Sequence, residues 1–199
     1  MKIKTLLTTT ALLMVASAAS AGVTTYYANL TPEGVSTGTV TGPPTGIGFV
    51  SATFDDVTNV FAFSATFSGL SGLSTVAHFH CCTALLFPAT APVAVGVPSL
   101  RFPNGVSTGS FGTEFDLDVA TNFNAGFVTS SGGTAAGAIA RFVQGLNTGQ
   151  VYFNIHSNRF PGGELRGAML VPEPASAALA LLGLAGLALV RRKTHPTAR

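Results

Sequence analysis

Tryptophan is absent from this 199-residue chain, and cysteine and charged residues are scarce. Charged residues make up 9% of the chain, against about 25% in an ordinary soluble domain. So few charges exclude a coiled coil, an acidic disordered chain and a highly basic nucleic-acid-binding protein. In their place stand 23 glycines and 11 prolines, which indicate many turns. The length allows one domain of ordinary size with appendages.

Basic residues are concentrated at the two ends of the chain. Residues 5–170 hold seven acidic and four basic side chains, a net charge of −3, whereas the termini carry the lysines and an arginine cluster. The sequence pI of about 8.7 therefore reflects the ends and not a basic surface. No nucleic-acid partner is expected.

The amino-terminal segment has the features of a secretory signal peptide over residues 1–21. Lys2 and Lys4 precede a short apolar stretch, and Ala19 and Ala21 form a small-x-small site for signal peptidase. Cleavage there would make Gly22 the first residue of the mature chain. An uncleaved membrane anchor is the alternative.

The carboxyl-terminal segment combines a proline-rich break, an apolar run and a basic cluster. Pro172-Glu173-Pro174 ends any preceding strand, because proline lacks the N–H that a sheet ladder needs. Residues 175–190 carry no charge, and these 16 residues would form a helix of about 24 Å against a bilayer core of roughly 30 Å. Arg191-Arg192-Lys193 supplies the positive charge that stays on the cytoplasmic side. We therefore predict a transmembrane helix at about 175–190 and a short tail at 195–199.

From Val171 to about Lys193, this segment resembles the PEP-CTERM sorting tail of exported bacterial proteins. The resemblance implies a sorting segment over 171–194, in which an exosortase-type membrane protease recognises Pro172, Glu173 and Pro174 and removes the helix. The chain would be anchored transiently in the inner membrane. It would then pass to the cell surface or the extracellular matrix, typically the exopolysaccharide-rich biofilm matrix of a Gram-negative bacterium. A permanent C-terminal anchor is the alternative.

The middle of the chain, residues 22–170, has the pattern of an all-β domain. Polar and apolar residues alternate with a period of two between glycine-rich corners, and 15 phenylalanines are available for a core. A long loop is expected over 83–110. The pattern predicts a two-sheet sandwich or flattened barrel with strands at 24–30, 49–54, 60–67, 75–81, 114–119, 138–143, 151–156 and 164–170.

Two segments of this middle region resemble the CHRD domain, named from chordin. The first is Gly69-Leu70-Ser71-Gly72-Leu73 followed by Ala77-His78-Phe79-His80, and the second covers 152–157 and 161–167. The resemblance implies an extracellular, Ig-like, Greek-key domain without a defined biochemical activity. One departure is the Cys81-Cys82 pair, which stands where such domains usually have a small turn. The residues that carry the second, structural motif are Asn154, His156, Pro161, Gly163, Glu164, Arg166 and Gly167.

Three histidines are candidates for a metal site. His78 and His80 project from the same face of their predicted strand, and His156 ends another. Three nitrogen ligands suit copper or zinc, and the His-x-His pair resembles that of copper-zinc superoxide dismutase, which is also a β-sandwich. No further histidines and aspartates complete a bimetallic site. The alternative is structural: the imidazoles hydrogen-bond to nearby loops and to one another, and no cofactor is bound.

The remaining candidates favour structural roles. Adjacent cysteines in an exported chain leave four states open: a vicinal disulfide, free thiols, bonds to another chain, or a thiolate ligand. Glu164 and Arg166 share a strand face, which predicts an ion pair or a contact with the turn at 161–163. Ser131-Gly132-Gly133 is predicted as a turn with no helix after it. No nucleophile motif, phosphate loop or catalytic carboxylate pair is present.

The sequence thus predicts an exported, non-enzymatic CHRD-type protein at the cell surface. Its expected role is structural or adhesive, with exopolysaccharide or matrix proteins as partners. The alternative function is a copper- or zinc-binding extracytoplasmic domain that uses His78, His80 and His156, including redox activity of the superoxide-dismutase kind.

Overall fold

The computed structural model describes residues 22–32, 42–84, 89–98, 101–172 and 183–184. The predicted signal peptide, its cleavage site at Ala19 and Ala21, and Glu173 and Pro174 lie outside these residues. So does the helix predicted over 175–190, apart from positions 183–184. Within the described part of the chain, no helix has the length and apolar character needed to span a membrane.

Eight strands form two antiparallel four-stranded sheets that face each other. The first sheet has the order β1-β2-β3-β6, and the second has the order β5-β4-β7-β8. The edge strands β1 and β8 meet through two isolated bridges, Tyr27–Leu170 and Thr31–Arg166, and no closed barrel forms among the described residues. The strands are β1 (Val23–Leu30), β2 (Ile47–Asp55), β3 (Val60–Ser68), β4 (Ser74–His80), β5 (Val93–Gly96), β6 (Gly109–Asp116), β7 (Tyr152–Ser157) and β8 (Leu165–Ala168).

The core lies between the sheets and is rich in phenylalanine. On β3, Phe61, Phe63 and Phe67 are buried, whereas Ser64 and Thr66 between them are exposed, as the period-two pattern predicts. Phe79 of β4 meets both Phe61 and Phe63 edge-to-face at 5.1 Å between ring centroids. These contacts fix which face of β4 points inward and leave its other face for polar residues.

The strand predicted over 138–143 is wrong, because this segment lies in a helix. Two helices cover one end of the core, α1 (Ala125–Ser130) and α2 (Ala135–Asn147). Thr134 caps α2 by accepting a hydrogen bond from the N–H of Gly137 at 3.1 Å. The buried residues Ala138, Phe142 and Leu146 recur every four positions, which is a helical period. The prediction that no helix follows Ser131-Gly132-Gly133 is wrong for the same reason.

One loop prediction and one further strand prediction differ from the structure. The loop predicted over 83–110 contains β5, a short strand that pairs with β4. The strand predicted over 114–119 is β6 and ends at Asp116, earlier than expected. There the Asp116 carboxylate accepts a hydrogen bond from the N–H of Asp118 at 3.0 Å, which turns the chain.

A disulfide joins Cys81 and Cys82 directly after β4. It is one of the states that the sequence left open. Both sulfur atoms lie against Gly145 of α2, where an added Cβ would come within 2.8 Å of each of them. The disulfide therefore packs against a helix position that has room only for glycine.

Candidate metal centre

The three histidines meet on the outer face of the second sheet. Ala77 and Phe79 of β4 point into the core, so His78 and His80 point outward. β7 runs beside β4, and His156 of β7 lies on this same face. One ring nitrogen from each histidine lies within 4.8 Å of the other two. The structure thus brings together the three residues that the sequence proposed as ligands.

Two of the imidazoles are anchored by backbone carbonyls through the same nitrogen. Nδ1 of His80 is 2.8 Å from the carbonyl oxygen of Ala91, and Nδ1 of His156 is 2.7 Å from that of Pro161. A carbonyl oxygen only accepts hydrogen bonds, so each Nδ1 carries the hydrogen. Nε2 of each neutral ring therefore presents a lone pair.

These lone pairs face the centre of the cluster. Nε2 of His156 is 3.2 Å from Nδ1 of His78 and accepts a hydrogen bond from it, as the structural alternative expects, so a metal ion would have to displace that hydrogen. Nε2 of His80 is buried and has no hydrogen-bond partner among the described residues. Two ligand nitrogens on a tetrahedral metal at 2.0–2.1 Å are about 3.4 Å apart, close to the observed separation. A ring fixed at one nitrogen by a carbonyl and open at the other is the usual arrangement of a metal-binding histidine.

The environment of the cluster keeps the imidazoles uncharged. Burial, then the neighbouring His156 and His80, lowers the pKa of His78 to about 4. Burial also lowers the pKa of His80 to about 4, against the opposing hydrogen bond to Ala91 and with the help of His156 and Arg166. The pKa of His156 is lowered by burial, despite its bond to Pro161. At neutral pH all three rings are in the form that binds metals.

An aromatic ring and a guanidinium stack beside the cluster. The Tyr152 ring lies parallel to His80, with 4.6 Å between centroids and 5° between planes. The guanidinium carbon of Arg166 is 3.9 Å from the Tyr152 ring centroid, and Arg166 donates a hydrogen bond to the carbonyl of Ala89 at 2.6 Å. The Tyr152 ring, held by Arg166, thus restricts the orientation of His80.

The motif at 161–167 shapes the turn that holds His156. Gly163 has a φ of 119°, and an added Cβ there would collide with the carboxamide of the buried Asn154. A Cβ at Gly167 would collide with the backbone of Asn29 in β1. The two glycines therefore permit close packing at the turn and at the β1–β8 seam, and Pro161 contributes its carbonyl to His156.

Glu164 is fully buried and serves as a hydrogen-bond acceptor for the loop before β4. Its Oε1 accepts from the N–H and hydroxyl of Ser71 at 2.5 and 2.6 Å and from the N–H of Thr45 at 3.4 Å, and its Oε2 accepts from the N–H of Gly72 at 3.3 Å. Burial raises its pKa, but hydrogen bonds from Ser157, Ser71 and Thr45 outweigh this, so the pKa lies below its ordinary value. Glu164 thus contacts the loop at Ser71 and Gly72, whereas Arg166 donates to the carbonyl of Ala89 in another loop.

Several residues of the site were not identified from the sequence. The carbonyl of Ala91 anchors His80, but a backbone acceptor in an irregular loop leaves no sequence signal. Ser71 lies in the first CHRD-like segment, yet its hydrogen bonds to Glu164 join positions 93 residues apart. Tyr152 shares a strand face with His156, which is the one signal available for its place at the site.

Comparison with known families agrees with both resemblances. The chain matches the CHRD domain over residues 26–169 and the PEP-CTERM protein-sorting motif over residues 170–193. No curated protein and no solved structure matches it. The sorting motif marks the chain for export and for processing by an exosortase-type system. Because the first match spans well over half of its length, this protein belongs to the CHRD domain family.

Proposed function

We propose that this exported domain binds one copper or zinc ion through His78, His80 and His156. The observation that supports the proposal most is the buried Nε2 of His80, which has no hydrogen-bond partner in the part of the chain that the structure describes. An unpartnered buried acceptor costs about 1–3 kcal/mol, and a metal ion at the centre of the cluster would remove that cost. Three imidazole nitrogens are a donor set that copper and zinc both accept.

The proposed role is binding and not catalysis. Besides burial, the groups that lower the pKa values of His78 and His80 are the neighbouring histidines and, for His80, Arg166. Once the three imidazoles hold a metal ion, they are no longer free to act as the general acid or base that a hydrolytic mechanism requires. The bound ion would also link β4 to β7 and to the loops at Ala91 and Pro161.

Metal analysis of the purified full chain tests the proposal. After loading with copper or zinc and gel filtration, we expect about one ion per chain. The double variant His78→Ala/His80→Ala should lose the ion, whereas Glu114→Gln, at an exposed position of β6 in the other sheet, should keep it. Circular dichroism would confirm that each variant is folded. A wild-type chain that retains no stoichiometric metal would refute the proposal.

For sorting, we propose that an exosortase-type protease acts at Pro172-Glu173-Pro174 and removes the apolar segment 175–190. Val171 and Pro172 are exposed, as a protease site requires. Replacement of all three motif residues by alanine should leave a larger, membrane-retained product and abolish surface delivery. Replacement of Val171 alone serves as the control. Unchanged surface delivery of the triple variant would contradict this proposal.

A structural or adhesive role in the surface matrix is the second candidate. It is favoured by the outer face of the first sheet, where Ile47 and Phe49 are exposed and Tyr27 stacks on Phe49 at 6.5 Å. Single exposed apolar residues are common, but a cluster indicates a contact surface. The double variant Ile47→Ser/Phe49→Ser should then reduce retention in the matrix without changing metal content. Equal retention would remove this candidate.

A further inference from the structure

We infer that the three-histidine centre takes copper in its monovalent state in preference to divalent zinc. The inference rests on the proposed function, since it specifies which ion the cluster binds. It follows from three properties of the site: the charge of its ligands, the charge of its surroundings, and the number of ligands that the cluster supplies.

The ligands bring no negative charge to the ion. All three donors are neutral imidazoles, and the groups that fix His80 and His156 are the carbonyls of Ala91 and Pro161 and not carboxylates. A carboxylate behind a histidine makes the ring a stronger donor and offsets part of the charge of a divalent ion. A backbone carbonyl is uncharged, so it strengthens the donor less and does not offset the charge of the ion. A divalent ion in this cluster would keep its full charge of two.

The surroundings oppose additional positive charge. The rings are half-buried, and Arg166 acts electrostatically on His80 through the Tyr152 stack. The cost of taking an ion out of water rises with the square of its charge, so a divalent ion pays about four times the penalty of a monovalent ion of equal size. Repulsion from Arg166 also doubles with the ion's charge. Both effects disfavour zinc.

The number of donors acts in the same direction. The cluster supplies three ligand nitrogens. Among the described residues, no other group of three or more histidine, cysteine or acidic side chains lies close enough together to bind an ion. Zinc in proteins is almost always four-coordinate, so it needs a further ligand such as water. Copper(I) is stable with three ligands, and imidazole is among the donors that copper accepts. The cluster as it stands completes the site for the monovalent ion.

The test adds one negative charge without touching a ligand. Val76 lies on the same face as His78 and His80, and in the strand register it is opposite His156. Val76→Glu places a carboxylate beside the cluster, and Val76→Gln is the matched uncharged control. The affinities of the full chain, purified in detergent, are measured by competition with a bicinchoninate probe for copper(I), without oxygen, and with a chromogenic chelator for zinc(II).

We expect the wild-type chain to bind copper(I) at least a hundredfold more tightly than zinc(II). Relative to Val76→Gln, Val76→Glu should raise zinc affinity about tenfold and copper(I) affinity about threefold, because attraction to the added charge is proportional to the charge of the ion. Histidine-dependent zinc binding as tight as that of copper(I) would overturn the inference and leave the proposed function intact. If the chain bound neither copper(I) nor zinc(II), both the inference and the proposed function would be refuted. Equal gains for the two ions would refute the charge argument.

Discussion

Replacement of Glu164 by glutamine tests whether this buried carboxylate stabilises the contact between the turn before β8 and the loops that precede β2 and β4. The side chain joins the turn before β8 to the loop at Ser71 and Gly72 and to Thr45. Glutamine keeps the shape but removes the charge. In glutamine an NH2 group replaces one carboxylate oxygen. This group is a donor, and it would face an N–H or a hydroxyl that donates to Glu164 in the wild type.

The magnitude follows from the hydrogen bonds that change. A hydrogen bond to a charged group contributes about 1.5–3 kcal/mol and a neutral one about 0.5–1.5 kcal/mol, so each bond loses about 1 kcal/mol when the charge is removed. At least three bonds are affected: those from the N–H and hydroxyl of Ser71 and from the N–H of Gly72. We expect Glu164→Gln to lower the free energy of unfolding by about 3 kcal/mol at pH 7.

Urea unfolding followed by circular dichroism measures this difference. Because the pKa of Glu164 is lower in the folded state, its stabilising effect is complete above the ordinary carboxyl range and is lost as the pH falls through the folded-state pKa. The gap between wild type and variant should therefore narrow below about pH 4. Glu114→Gln, at an exposed position of β6, should change the stability by less than about 0.5 kcal/mol. A Glu164→Gln protein as stable as wild type at pH 7, or a gap independent of pH, would refute this reasoning.

Three further outcomes are expected from the same unfolding measurements. Gly145→Ala should destabilise the chain by about 1–3 kcal/mol despite better helix propensity, because the new methyl group meets both disulfide sulfurs; a stabilised variant would contradict this packing. Gly163→Ala should cost about 2 kcal/mol, since it combines a left-handed backbone with the Asn154 contact, and wild-type stability would show that the turn can shift. The metal-free chain should lose stability as the pH falls from about 6.5 to about 4, because the pKa values of His78 and His80 are lowered in the folded state and the unfolded chain takes up protons first. His78→Gln should reduce that slope, and an unchanged slope would show that this ring does not titrate as described.

The strands and the histidine cluster could be anticipated because each leaves a local pattern. The alternation of phenylalanine with serine and threonine on β3 identifies its buried face. His78 and His80 share a face by the same rule. That His156 joins them depends on the pairing of β4 with β7, which the sequence suggested as a possibility and the structure supplies.

The helix α2 and the anchoring contacts could not be read in the same way. Over six residues, Ala138 to Val143 fits both a strand and a helix, and the distinction needs Leu146 and the Thr134 cap. The bond between Ser71 and Glu164 and the carbonyl of Ala91 at His80 depend on how distant loops meet. The local sequence pattern contains no information about contacts between distant segments, because tertiary packing determines them.

The antiparallel bridge between Tyr27 and Leu170 has a consequence for how the domain would respond to a pulling force between its two ends. β1 and β8 are antiparallel there, so the chain before Val23 and the chain after Leu170 leave the fold at the same end of the seam. A force applied between the two termini would peel the strands apart one bond at a time instead of shearing several bonds together. In a protein attached to a surface by one terminus and to a neighbour by the other, β1 and β8 would separate first. The force would then act on the neighbouring strands of the second sheet, which carry the histidine cluster.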